Sequence, residues 1–176
     1  VRLLAKLESS KGLETPDIFL KHVDESQLAQ LKEKLNQNDF SLLAKETNAH
    51  VLANILIEWL RCLPLSLFPP DMFALVAEAE KIHSDEEHLF HTFHTLVHSL
   101  PKVHRTCLQY VCYIFKSVIS RSAVNGVTLE RLAAEMAPIM VRPRAAASEM
   151  PATVVVSHAV GTLRMERFKK DFGKRD

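Results

Sequence analysis

Asn48-Ala-His-Val-Leu-Ala-Asn-Ile-Leu-Ile-Glu-Trp-Leu-Arg-Cys-Leu-Pro64 is the stretch whose reading decides the fold. Val51, Ile55 and Trp59, with either Leu52 or Leu56, recur at the spacing of one helix face and predict an amphipathic helix over about 48–62. It ends at Leu63-Pro64, because proline lacks the N–H that would continue the ladder and restricts the residue before it. Asn54 and Glu58 interrupt the apolar run, which leaves it far short of a membrane span.

The same period extends in both directions. Leu28, Leu31 and Leu35 mark a helix with Asp24 and Ser26 as candidate caps. Residues 65–70 read as an extended connection. Met72, Phe73 and Val76 then start a helix headed by Pro69, Pro70 and Asp71. Ser84 with Glu87 has the form of a capping box for a helix reaching Leu100, and Pro101 opens a long apolar helix to about Ser120. After a polar connection over 121–124, Thr128 caps a helix with Leu129, Leu132 and Met136 inward, which Pro138 is expected to stop. Residues 143–150 read as a loop and 152–168 as a last helix. Val154–Val156 is the one β-branched run and has no second strand to pair with. The expected fold is all-α, a compact bundle of about seven to nine helices. It forms one domain over 1–170 with a charged tail at 171–176, and Trp59, Phe93, Leu108 and Leu132 are expected in the core.

Composition narrows the function. With 22 basic and 21 acidic side chains among 176 residues the formal charge is +1, without the basic excess that non-specific nucleic-acid binding requires. The four glycines, Gly12, Gly126, Gly161 and Gly173, lie too far apart for a phosphate-cradling loop. That excludes Walker A and dinucleotide fingerprints, and with them GTPase, kinase and dehydrogenase chemistry. Cys62, Cys107 and Cys112 are odd in number, lack metal spacing and read as small buried thiols in a reducing compartment. His88, His91, His94 and His98 are spaced along one helix, but Leu89, Phe93, Leu96 and Leu100 define its apolar arc, so the histidines form a wet face rather than a metal site. Ser9, Ser10, Ser120 and Ser122 lack a nucleophile-elbow frame. Val1–Leu7 is too short and too charged for a signal peptide. No metal, no cofactor, no nucleic acid and no membrane insertion are expected, and the chain is expected to be a cytoplasmic part of a larger multidomain protein.

Three segments together resemble the RhoGAP domain, the helical module that binds Rho-family GTPases and speeds their hydrolysis of GTP. Gly12-Leu-Glu-Thr-Pro-Asp-Ile-Phe-Leu20 is similar to the family's G-L-x-T-E-G-I-F-R. His50 to Ala53, Trp59 to Pro64 and Leu67 to Pro69 follow H-x-x-A-x-x-L-K-x-Y-L-R-E-L-P-x-P-L-x-P. Leu100-Pro101, Asn125 to Thr128, Arg131 to Ala133, Met136 to Pro138 and Val141 to Pro143 follow L-P-x-x-N and then N-K-M-T-x-x-N-L-A-x-x-F-x-P-x-L-x-R-P. The resemblance covers nearly the whole chain.

It also marks departures. The family's catalytic arginine follows I-F, and here Ile18-Phe19 is followed by Leu20. Such an arginine meets the charge that develops on the transferring phosphoryl group, and Leu20 cannot. Lys21 is adjacent but lacks the bidentate fork and is one residue out of register. Asp17 replaces a glycine and sets a negative charge where phosphate would approach. Ile57 falls at the family's lysine and Arg131 at its asparagine, whereas Arg61 matches the arginine that helps hold the finger loop. The resemblance implies a partner-facing set of Leu20, Lys21, Ile57, Arg61, Asn125 and Arg131, with no catalytic residue among them. The chain is accordingly expected to be no enzyme but a GTPase-activator-like binding domain. It would bind a Rho-, Rac- or Cdc42-type GTPase with little or no stimulation of hydrolysis. A scaffold gripping another protein, and an active GTPase activator with an atypical site, remain as alternatives.

Overall fold

The computed structural model describes residues 2–9, 11–80 and 86–142. The described chain forms α1 (Arg2–Ser9), α2 (Glu25–Asn36), α3 (Ser41–Lys45), α4 (Ala49–Cys62), α5 (Phe73–Glu80), α6 (Glu86–Ser99), α7 (Lys102–Ile119), α8 (Ser122–Asn125) and α9 (Leu129–Met140). Two single 3₁₀ turns, Gly12–Glu14 and Pro70–Met72, complete the order, and among the described residues there is no strand beyond one isolated bridge between Phe68 and Val141. The architecture is all-α, as the periodicity requires. The loop and helix expected over 143–168, the charged tail and Ser84 of the capping box lie outside the described residues.

Helix α4 is the axis of the bundle. It packs against α1, α2, α9 and the Gly12–Glu14 turn. Its start is fixed by Asn48, whose side-chain oxygen accepts from His50 N at 3.0 Å. Its end is covered by Arg142, whose guanidinium donates to the Arg61 and Leu63 carbonyls at 2.9 and 2.6 Å. The extended connection after Pro64 is pinned to the end of α9 by Phe68 N donating to Met140 O at 3.2 Å.

Several expectations change at this level. Trp59 is 45% exposed rather than buried. At 3.6 residues per turn, two steps of four carry a side chain about 80° around the helix, so the row that starts at Val51 has left the core by Trp59. Leu56, Ile57 and Leu60 face inward there instead. Pro138 lies inside α9 and does not stop it. The carbonyl it leaves unbonded belongs to Ala134; both residues are exposed, so water can satisfy it. The 121–124 connection contributes to the short helix α8. Asp24 occupies the N-cap of α2 without a side-chain bond, and Ser26 falls inside that helix. Of the cysteines only Cys112 is buried, its thiol pushed up to about 12 by burial, whereas Cys62 is exposed and Cys107 half-buried.

Phe93, Leu108 and Leu132 are core residues as expected, each 1% exposed. Leu132→Ala removes packing that rigid helices around it cannot refill, and should lower unfolding free energy by about 2 to 5 kcal/mol. Urea denaturation measures this, and a loss below about 1 kcal/mol would remove Leu132 from the core.

Candidate functional site

The segment between the Gly12–Glu14 turn and α2 forms a tight loop. Asp17 and Phe19 adopt φ of 52° and 68°, a left-handed conformation that aspartate tolerates and phenylalanine rarely enters. Surrounding contacts enforce it. The Phe19 ring is fully buried, edge-on to Phe115 with centroids 5.7 Å apart. Asp17 N donates to Asn125 O at 2.8 Å, and Leu20 N and Lys21 N both donate to Asp17 O, at 2.9 and 3.1 Å. From α4, Asn54 Nδ2 donates to Lys21 O at 2.9 Å and to His50 O at 2.8 Å.

A third clamp arrives from α9. Arg131 places Nη2 2.8 Å from Asp17 Oδ1 and Nη1 2.7 Å from the Gly126 carbonyl, using both arms of its planar fork. Gly126 itself sits at φ 71°, where its lack of a Cβ lets the chain turn into α9. The Asp17 and Arg131 side chains are 51% and 52% exposed, so water screens the pair and its worth to folding is no more than about 1 kcal/mol.

The six residues of the expected partner-facing set separate in space. Leu20 is half-buried with its side chain packed on the core, and Lys21 is exposed beside it. Arg131 and Arg61 are exposed. Ile57 and Asn125 are 0% and 1% exposed, which corrects their assignment: neither side chain is on a face a partner could touch. Ile57 turns inward because the last turns of α4 face the core on the Leu56–Leu60 side. Asn125 is a polar junction. Its amide nitrogen donates to Leu13 O at 2.8 Å and Val118 O at 2.9 Å, while its oxygen accepts from Val127 N at 2.8 Å. Nor are the departures independent of one another, since Asp17 and Arg131 form one ion pair.

Arg61 makes no clamp on the loop backbone. It pairs with Glu58 at 3.0 Å and comes within 4.0 Å of Glu135, which lies 3.4 Å from His22 at the end of the loop. Glu58 also meets Lys32 at 3.2 Å, and Lys32 meets Glu25 at 2.8 Å, so a charged strip joins α2, α4 and α9. Burial pushes the Glu58 carboxyl up, but hydrogen bonds from Arg61 and Lys32 outweigh it and hold the group below the usual range. Beneath the loop, burial and then the Lys21 charge lower the His50 pKa against the pull of Asp17, so its imidazole is neutral at pH 7. His50 Nδ1 is buried without a hydrogen-bond partner among the described residues.

Sequence reading missed Asn54, Glu58 and Glu135 as members of this site. The first two had a signal: they are the polar interruptions of an otherwise apolar helix, and a polar side chain on a buried face needs a partner. Glu135 had none, because its neighbours come from distant segments.

The histidines of α6 are exposed opposite buried Leu89, Phe93, Leu96 and Leu100. The His94 and His98 rings lie 4.2 Å apart, tilted by 42°, but two imidazoles fill only half of a tetrahedral shell, and no cluster of three potential ligands occurs among the described residues. Low-micromolar zinc should therefore leave the melting temperature unchanged; a saturable upward shift would show a site in the native state. No helix among the described residues is long and apolar enough to cross a membrane.

Fold and loop together define an all-helical domain built around one clamped loop. The RhoGAP domain model matches residues 1–145, and the chain belongs to that family. It is 24% identical over its full length to chicken Rho GTPase-activating protein 15, spanning 37% of that relative. It is 29% identical over 80% of its length to human Rho GTPase-activating protein 20, spanning 12% of it. The chain thus covers a minor part of these relatives. Among solved structures it superposes on human Rho GTPase activating protein 15 with TM-score 0.79 at 19% identity, over 97% of this chain and 81% of that one. The BH domain of Graf, the GTPase regulator associated with focal adhesion kinase, gives TM-score 0.80 at 19% identity, over 98% and 92%.

These relatives correct one expectation. Leu20 had set the chain apart from the activators as a binding domain only, yet the curated relatives it matches are named GTPase-activating proteins. One side chain at a loop tip alters neither the bundle nor the loop on which membership rests, so the chain's class is that of the activator domains.

Proposed function

We propose that this chain is an activator-class domain that docks on a Rho-family GTPase, of Rho, Rac or Cdc42 type, and gives little stimulation of GTP hydrolysis. The observation that carries this reading is the loop itself. Its backbone is held from α4 and α8 and its Asp17 side chain from α9, as docking demands, while Leu20 occupies its tip with an apolar side chain folded onto the core. Stimulation of phosphoryl transfer comes from positioned positive charge, and the cations nearest the tip are committed elsewhere or out of register. Arg131 is engaged by Asp17 and Gly126, and the backbone of Lys21 is fixed by Asn54. The chain's short span on its relatives supports a larger protein in which this domain targets the GTPase.

The test pairs binding with turnover. The purified domain is titrated against GTPases loaded with GDP or a non-hydrolysable GTP analogue, and single-turnover hydrolysis is followed with the same preparations. Binding with weak stimulation is expected. Absence of binding in both nucleotide states would favour a scaffold for another protein, and strong stimulation would overturn the reading from the other side.

A further inference from the structure

Two departures from the family pattern, Asp17 and Arg131, lie 114 residues apart in sequence and meet at 2.8 Å on the exposed rim of the loop. As a half-exposed pair they add little to folding, so stability does not explain the arrangement. Its electrostatics do. Alone, the Asp17 carboxylate is a fixed negative charge three residues from the loop tip, and docking removes the water that screens it. Against an anionic nucleotide that charge repels, more strongly as the phosphate chain lengthens. Arg131 cancels it at contact distance, holding the carboxylate oxygen directly.

We propose that Arg131 is the residue that sets the nucleotide-state preference of this face: as the counter-ion of Asp17 it permits approach to a triphosphate-loaded GTPase, and without it the bare carboxylate rejects that form. The inference rests on the docking reading above and deepens it. Arginine suits the task because one arm holds the Gly126 carbonyl while the other meets the carboxylate. A lysine delivers one point charge without that anchor.

The experiment measures affinities of the 176-residue chain and its variants for Rho-, Rac- and Cdc42-type proteins, each loaded with GDP or with guanylyl imidodiphosphate. Arg131→Ala should weaken binding to the GTP-analogue form about tenfold, ~1.4 kcal/mol, and to the GDP form distinctly less. Asp17→Asn/Arg131→Ala should regain most of that loss. The double variant lacks the ion pair as fully as the single one, so a merely structural staple would leave it weak. Asp17→Asn alone keeps a side chain that tolerates the left-handed conformation, remains informative if Arg131→Ala does not fold, and should bind the GTP-analogue form at least as tightly as wild type. Equal losses in both nucleotide states, a double variant no better than Arg131→Ala, or weakened binding by Asp17→Asn would each overturn the inference while leaving docking intact. A wild-type chain that binds neither form overturns the docking reading and this inference with it.

Discussion

In single-turnover assays the wild-type domain should stimulate GTP hydrolysis by Rho-family proteins at least about a thousandfold less than a domain carrying arginine after Ile-Phe. An arginine finger is worth about 10³ to 10⁵ in rate for small GTPases, or roughly 4 to 7 kcal/mol of barrier. The Leu20 side chain offers no donor and no charge, and it packs on the core rather than projecting from the loop. Neither of the cations beside the loop makes up that sum. Lys21 has its carbonyl tied to Asn54, and Arg131 already spends both arms on Asp17 and Gly126. Leu20→Arg should recover only part of the missing rate. The new arginine would give up the apolar contact of Leu20, find Ile57 buried where the family supplies a lysine, and meet Arg131 where it supplies an asparagine. Groups that act as one unit are not additive. Thousandfold stimulation by the wild-type domain would sink the argument. Full recovery by Leu20→Arg alone would keep the finger argument but show that Ile57 and Arg131 do not matter to turnover.

Asn125→Ala should be strongly destabilising. Two buried polar groups, the Leu13 carbonyl and the Val127 amide, would lose their partner at once, while the Val118 carbonyl would keep only its bond from Arg121 N. Each such orphan costs about 1 to 3 kcal/mol, so the variant should lose about 2 to 6 kcal/mol. The loop should loosen with it, because Asn125 O also accepts from Asp17 N. Chemical denaturation gives the free energy, and amide exchange at Asp17 and Leu20 reports the loop. A variant within about 1 kcal/mol of wild type would mean that water replaces the lost amide, contrary to the burial seen here.

The helices were largely legible because their causes are local. Asn48 and Thr128 each bond an amide two or three residues on, Pro64 ends α4 within its own turn, and the apolar period needs only neighbouring residues. The same holds for the ordered motifs that placed the chain in its family. The candidate site was legible in outline, since the Ile18-Phe19 register puts Leu20 at the loop tip. Its working contacts were not, because a polar residue in a sequence does not name its partner.

What the sequence by itself determined is the all-helical class, the family and the missing arginine, each carried by short-range pattern. What only the tertiary structure decided is which polar residues are structural and which are presented. Asn125, which the resemblance places in the partner-facing set, is a buried junction; Trp59, which the helical spacing places in the core, faces solvent. Asp17 and Arg131 counted as separate departures and are one ion pair across 114 residues. The reason is physical: helix formation answers to neighbours three and four residues away, but burial and charge pairing answer to whatever distant segment the packed bundle brings alongside.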